Sequence, residues 1–136
     1  MISRKDKILI IDDEKDLCFF IKENLKLMGN YDVIIANDGK RGLFAAALHK
    51  PALILLDIMM PGLNGFQVLQ KLKANARTLS IPVIMITAKN DEEFKLKAAG
   101  LYNHDYIVKP FEMGVLKSKI DAVLKKSPSS RLYGSA

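Results

Sequence analysis

Ala52-Leu-Ile-Leu-Leu-Asp57 is an unbroken apolar run that ends in a carboxylate. A strand with one face in water alternates polar and apolar residues, whereas a continuous run of Leu and Ile signals a strand covered on both faces. Four further runs of the same kind accompany it: Lys7-Ile-Leu-Ile-Ile-Asp12, Tyr31-Asp-Val-Ile-Ile-Ala36, Pro82-Val-Ile-Met-Ile-Thr87 and Asp105-Tyr-Ile-Val-Lys109. Between them the apolar spacing changes to a helical period, in Leu17, Phe20, Ile21, Leu25 and Met28, in Phe66, Leu69 and Leu72, and in Met113, Leu116, Ile120 and Leu124. Gly29-Asn30 closes the first predicted helix, Asn37-Asp38-Gly39 opens the second, Pro51 separates it from the third strand, and Asp91 and Gly100 bound the fourth. Repeated strand-helix order requires right-handed crossovers and a parallel sheet with helices on both sides. The expected fold is therefore α/β, a doubly wound parallel sheet of five strands with five helices.

Composition agrees with one such domain. The 136 residues are 49% hydrophobic and 26% charged, enough apolar material for a single core and too little chain for two. No apolar run reaches the length of a membrane span, and the basic start leads into a short run that Asp12 and Asp13 interrupt, which suits neither a signal peptide nor membrane insertion. The single cysteine, Cys18, forbids an internal disulfide and a Cys-rich zinc site and fits a reducing compartment, so a cytoplasmic location is expected. The net charge of +6 is unevenly placed: without Lys125, Lys126 and Arg131 the balance falls to +3. The remaining lysines are interleaved with acids, as on solvated helix faces, so direct nucleic-acid binding by this domain is not expected. Residues 1–126 read as the domain, and 127–136, rich in Ser and without apolar period, as a mobile tail, a truncated linker or a scar.

In a doubly wound sheet, function gathers at the carboxyl ends of the strands. Here those ends carry Asp12-Asp13, Asp57, Thr87 and Lys109-Pro110. Three converging carboxylates repel one another unless a cation sits among them, and an all-oxygen donor set suits Mg2+ or Mn2+ better than zinc. Three carboxylates at about −3, a divalent ion at +2 and Lys109 at +1 bring the site near neutrality, ready to accept a phosphoryl group. A carboxylate can attack phosphorus while cations stabilise the equatorial oxygens. Asp57, alone at its strand end, is the candidate nucleophile, whereas the Asp12-Asp13 pair is suited to holding metal. A lone strand-end Asp is as often a turn or helix cap. Three acids, a hydroxyl and a lysine at four strand ends are a different matter.

These residues resemble the receiver domain of two-component response regulators, with the size of the stand-alone chemotaxis type. The resemblance covers about residues 5–126. It rests on Ile11-Asp12-Asp13-Glu14, on Leu56-Asp57-Ile58-Met59-Met60-Pro61-Gly62-Leu63-Asn64-Gly65, on Ile86-Thr87-Ala88 and on Val108-Lys109-Pro110-Phe111. It implies strand order 2-1-3-4-5 in a flavodoxin-like three-layer sandwich. It also implies a sensor histidine kinase or histidine phosphotransfer protein as phosphoryl donor to Asp57. The metal would be held by Asp13, Asp57 and the Met59 backbone carbonyl, and by Asp12 through water. Thr87 and Lys109 would each reach a phosphoryl oxygen, Tyr106 would follow by changing rotamer, and Lys109-Pro110 would be a cis peptide. Such a domain is a signalling switch, not a dedicated enzyme, although it catalyses its own phosphorylation and dephosphorylation. Its surface near the fourth helix, fifth strand and fifth helix would act on a downstream target or an attached output domain.

The chain departs from the family pattern in two places. Five residues, Leu101 to Asp105, separate Gly100 from Tyr106 where the family usually has three, which puts the usual dimer geometry in doubt. Met59 and Lys89 are the positions that by resemblance flank the hydrolytic water, and a thioether holds water weakly, so slow self-dephosphorylation is expected. His49 reads as a partner of a helix C-terminus, His104 as a loop residue and Cys18 as small core filler. Two other classes fit less well. An aspartyl-phosphate hydrolase usually needs a second Asp two residues after its nucleophile, which neither Asp57-Ile58-Met59 nor Asp13-Glu14-Lys15 supplies. A flavin-binding protein would not surround a phosphate with Asp12, Asp13, Glu14 and Asp16.

Overall fold

The computed structural model describes residues 5–88 and 105–125. In chain order these form β1 (Asp6–Ile11), α1 (Lys15–Met28), β2 (Tyr31–Ala36), α2 (Gly39–His49), β3 (Leu53–Asp57), α3 (Gly65–Lys73), β4 (Val83–Thr87), β5 (Asp105–Val108) and α4 (Met113–Lys125). The five strands make one sheet in the order β2-β1-β3-β4-β5, and every pairing is parallel. The expected doubly wound sheet is therefore observed, with four helices among the described residues. The fourth predicted helix, from Asp91 to Gly100, lies outside them, as do Lys89, His104 and the tail from residue 127.

The two-residue period of the strands builds two cores. Ile8, Ile10, Leu53, Leu55, Ile84, Ile86 and Ile107 point to one side, where α1 contributes Cys18, Ile21 and Leu25 and α4 contributes Leu116, Ile120 and Val123. Leu9, Ile11, Ile54, Leu56, Val83 and Met85 point to the other, against Ala46 of α2 and Val68, Leu69 and Leu72 of α3. Burial on both faces is the physical reason for the uninterrupted apolar runs.

Strand boundaries follow local chemistry. The fourth strand starts at Val83 rather than Pro82, because proline has no N–H for the ladder; its carbonyl still accepts from Ile54 N at 2.9 Å. Asp38 caps α2 by accepting from the Arg41 amide at 2.8 Å. Asn64 opens α3 with a capping box: its side chain accepts from Gln67 N, and the Gln67 side chain accepts from Asn64 N, each at 2.9 Å. The last cap sets where the chain leaves the turn after Asp57.

Candidate functional site

The sheet register puts the carboxyl ends of β1, β3, β4 and β5 on one rim. Ile11 lies opposite Leu56, Asp57 opposite Ile86 and Thr87 opposite Val108, so Asp12, Asp57, Thr87 and Lys109 occupy adjacent strand ends. Backbone hydrogen bonds continue past the strands: Asp12 N donates to Ala36 O at 3.1 Å, Ile58 N to Ile86 O at 3.0 Å and Lys109 N to Thr87 O at 2.8 Å. The Lys109-Pro110 peptide is cis.

Asp12 and Asp57 are buried polar residues, 0% and 4% exposed, and Asp13 is more open to water. One carboxylate oxygen from each of Asp12, Asp13 and Asp57 lies within 4.8 Å of the others. Lys109 closes the group, with its Nζ 3.0 Å from Glu14 Oε1, 3.3 Å from Asp12 Oδ2 and 3.5 Å from Asp57 Oδ1. Asp12 Oδ1 accepts from Glu14 N at 2.9 Å, whereas buried Asp12 Oδ2 has no hydrogen-bond partner besides that ion pair. A buried oxygen in this state, beside two more carboxylates, is a donor that a hard cation would satisfy, so the donor set fits Mg2+.

The electrostatics agree. Burial, and then the charge of Asp12, push the Asp57 carboxyl up to about 7, against the opposing pull of Lys109. Asp12 is also raised, by burial first, with the Glu14 amide and Lys109 working the other way. Burial alone would lower Lys109, but the hydrogen bond to Glu14 and the charges of Asp57 and Asp12 outweigh it and raise its pKa. Burial and mutual repulsion thus disfavour full ionisation of the three acids on this rim.

Thr87 is buried at the end of β4, and its hydroxyl donates to Ala88 O at 3.4 Å. Tyr106 lies on neighbouring β5 with an exposed side chain. Met59, two residues after Asp57, is 58% exposed. Beside Lys109 opens a cavity of about 510 Å³, lined by Glu14, Leu17, Phe20, Pro110 and Phe111 among others.

Three residues support the rim in ways the sequence did not announce: Asn37 reads there only as part of a helix start and Cys18 only as core filler, which its burial bears out. Asn37, just after β2, donates from Nδ2 to Asp12 O at 2.9 Å. Cys18 donates its thiol to the same carbonyl at 3.4 Å, and burial, then Asp12, push that thiol up to about 12, so it is a protonated donor in the core. Glu14 makes the shortest contact with Lys109. Asn37 was visible as part of the helix opening Asn37-Asp38-Gly39, but its bond to Asp12 spans 25 residues and carries no local signal.

A flavodoxin-like sheet with three carboxylates and a lysine on its carboxyl rim defines the class of signalling receivers. The profile of the response regulator receiver domain matches residues 8–121, and the chain belongs to that family. The general function of the family is a phosphorylation switch in two-component signalling.

The chain is 42% identical over 126 residues to response regulator ArlR of Staphylococcus saprophyticus, covering 93% of this chain and 56% of that protein. It is 38% identical over 130 residues to the alkaline phosphatase synthesis transcriptional regulatory protein PhoP of Bacillus subtilis, covering 93% and 53%. The chain thus spans about half the length of the curated relatives it matches. Chemotaxis protein CheY4 of Vibrio cholerae superposes with a TM-score of 0.81 at 25% identity, over 88% of this chain and 98% of that one. No helix among the described residues is long and apolar enough to cross a membrane.

Proposed function

We propose that Asp57 is the phosphoacceptor and that this domain takes a phosphoryl group from the phosphohistidine of a sensor histidine kinase or a histidine phosphotransfer protein. The observation that carries this reading is a 4% exposed carboxylate at a strand end, with two carboxylates within 4.8 Å and an ammonium at 3.5 Å. An Asp57 carboxylate oxygen attacks phosphorus in line, the P–N bond to the donor imidazole breaks, and the imidazole leaves with the bonding electrons and takes up a proton. The product is an acyl phosphate on Asp57.

Asp13, Asp57 and the Met59 carbonyl would hold Mg2+ or Mn2+, with Asp12 acting through water. When bound there, such an ion would supply positive charge to the phosphoryl group. Lys109 supplies a second cation, and the Thr87 hydroxyl donates to a phosphoryl oxygen. Drawing Thr87 and Lys109 toward Asp57 shifts the ends of β4 and β5, and Tyr106 follows from its exposed position. The surface around β5 and α4, with the helix predicted before β5, then binds or releases a protein target or an attached output domain. The domain acts in the cytoplasm, catalyses its own phosphorylation and dephosphorylation, and turns over no separate substrate.

The test is incubation with acetyl phosphate, with and without Mg2+, followed by intact-mass spectrometry of the parent and Asp57→Ala. A phosphoryl adduct that needs Mg2+ and disappears in the variant is expected. A parent that neither gains the adduct nor binds beryllofluoride would overturn the reading.

A further inference from the structure

Lys109 is shared unequally among three acids, and the nearest is not the proposed phosphoacceptor. Its Nζ is 3.0 Å from Glu14 Oε1 but 3.5 Å from Asp57 Oδ1. Glu14 stands at the N-cap of α1, where a side chain ordinarily bonds the first free amides of its own helix, yet it makes no such capping bond. It reaches over the rim to Lys109 instead. Its backbone amide is meanwhile tied to Asp12 Oδ1 at 2.9 Å, which fixes the base from which the side chain extends. Glu14 and Lys109 also line the same cavity.

We infer that Glu14 is a positioning residue, a latch that holds the Lys109 ammonium toward the β1–α1 turn and restrains its transfer to a phosphoryl group on Asp57. The inference rests on Asp57 being the acceptor. A phosphoryl oxygen must draw the ammonium away from Glu14, so the unphosphorylated state is favoured by the strength of that pair. The Glu14 side chain is 60% exposed and that of Lys109 21%, so water and salt screen the contact and its effect is modest. Ion pairs this open correspond to roughly a two- to fivefold change in an equilibrium constant.

The test measures beryllofluoride affinity in the presence of Mg2+ for the parent, Glu14→Gln and Glu14→Asp. Glu14→Gln removes the charge; Glu14→Asp keeps it but shortens the arm by one methylene. Both variants are expected to bind roughly two- to fivefold more tightly than the parent, with the gain shrinking at high salt as the parent's own pair is screened. Tightening in Glu14→Gln alone would overturn the latch and leave only general charge repulsion. Equal or weaker binding in both would also overturn it, while parent binding would leave the phosphoacceptor reading intact. If the parent binds no beryllofluoride, both fall together.

Discussion

A Cβ on Gly65 would collide with the backbone of Asp57: it would stand against the Asp57 carbonyl oxygen and 2.6 Å from the Cα of Ile58. Gly65 N also donates to Ile58 O at 2.8 Å, so the first turn of α3 is pressed directly onto the strand end that presents the carboxylate. The opposing atoms are backbone and cannot rotate away. Gly65→Ala is therefore expected to cost about 1–3 kcal/mol, by overpacking, and to slow uptake of phosphoryl from acetyl phosphate. Urea unfolding and the time course of the mass adduct check the two effects.

The carboxyl of Asp57 sits up to about 7 because burial, and then Asp12, disfavour its charge. The folded protein therefore keeps a proton that the unfolded chain releases near pH 4. Without metal, this group makes stability fall as pH rises from about 4 to about 7, after which its penalty is complete. Asp57→Asn carries no such penalty. At pH 8 in chelator it is expected to be about 4 kcal/mol more stable than the parent, and at pH 4 nearly equal to it. Denaturant unfolding at both pH values decides this, since a gap independent of pH would show that burial of the charge is not its source.

The Asp12 carbonyl accepts from both Asn37 Nδ2, at 2.9 Å, and Cys18 Sγ, at 3.4 Å. Removing the stronger donor in Asn37→Ala is expected to cost about 1 kcal/mol of stability. Because Asp12 then sits less firmly at the rim, Mg2+ affinity should fall severalfold. Isothermal titration with Mg2+ provides the measurement, and unchanged affinity would limit Asn37 to a folding role.

Met59 is exposed two residues beyond Asp57, and its thioether is a weak acceptor for water. Met59→Asn is expected to speed loss of the acyl phosphate, because an amide can both donate to and accept from an attacking water. Decay of the mass adduct after removal of acetyl phosphate tests this; equal or slower decay in the variant would refute it.

Most of the frame is legible in the sequence alone. Continuous runs such as Leu53 to Leu56 mark strands buried on both faces, and Ile21, Leu25, Leu69 and Leu72 mark the helix faces that cover them. Because parallel strands all end on one rim, the terminal positions of those runs were enough to gather Asp12, Asp57, Thr87 and Lys109. The order β2-β1-β3-β4-β5 came only through family resemblance, since an apolar strand carries no local mark of its neighbour.

What the sequence by itself determined was therefore the set of elements and the acids at their ends, both of which follow from periods of two and 3.6 residues along the chain. Tertiary structure decided which side chains support those acids. Asn37 reaches Asp12, Glu14 reaches Lys109 across 95 residues, and Tyr31 donates to Asp121 across 90. The closeness of Gly65 to Asp57 belongs to the same group, although only eight residues separate them in number. Each of these contacts depends on strand register, helix docking and rotamer, which are settled only when the whole core packs, so no local pattern announces them.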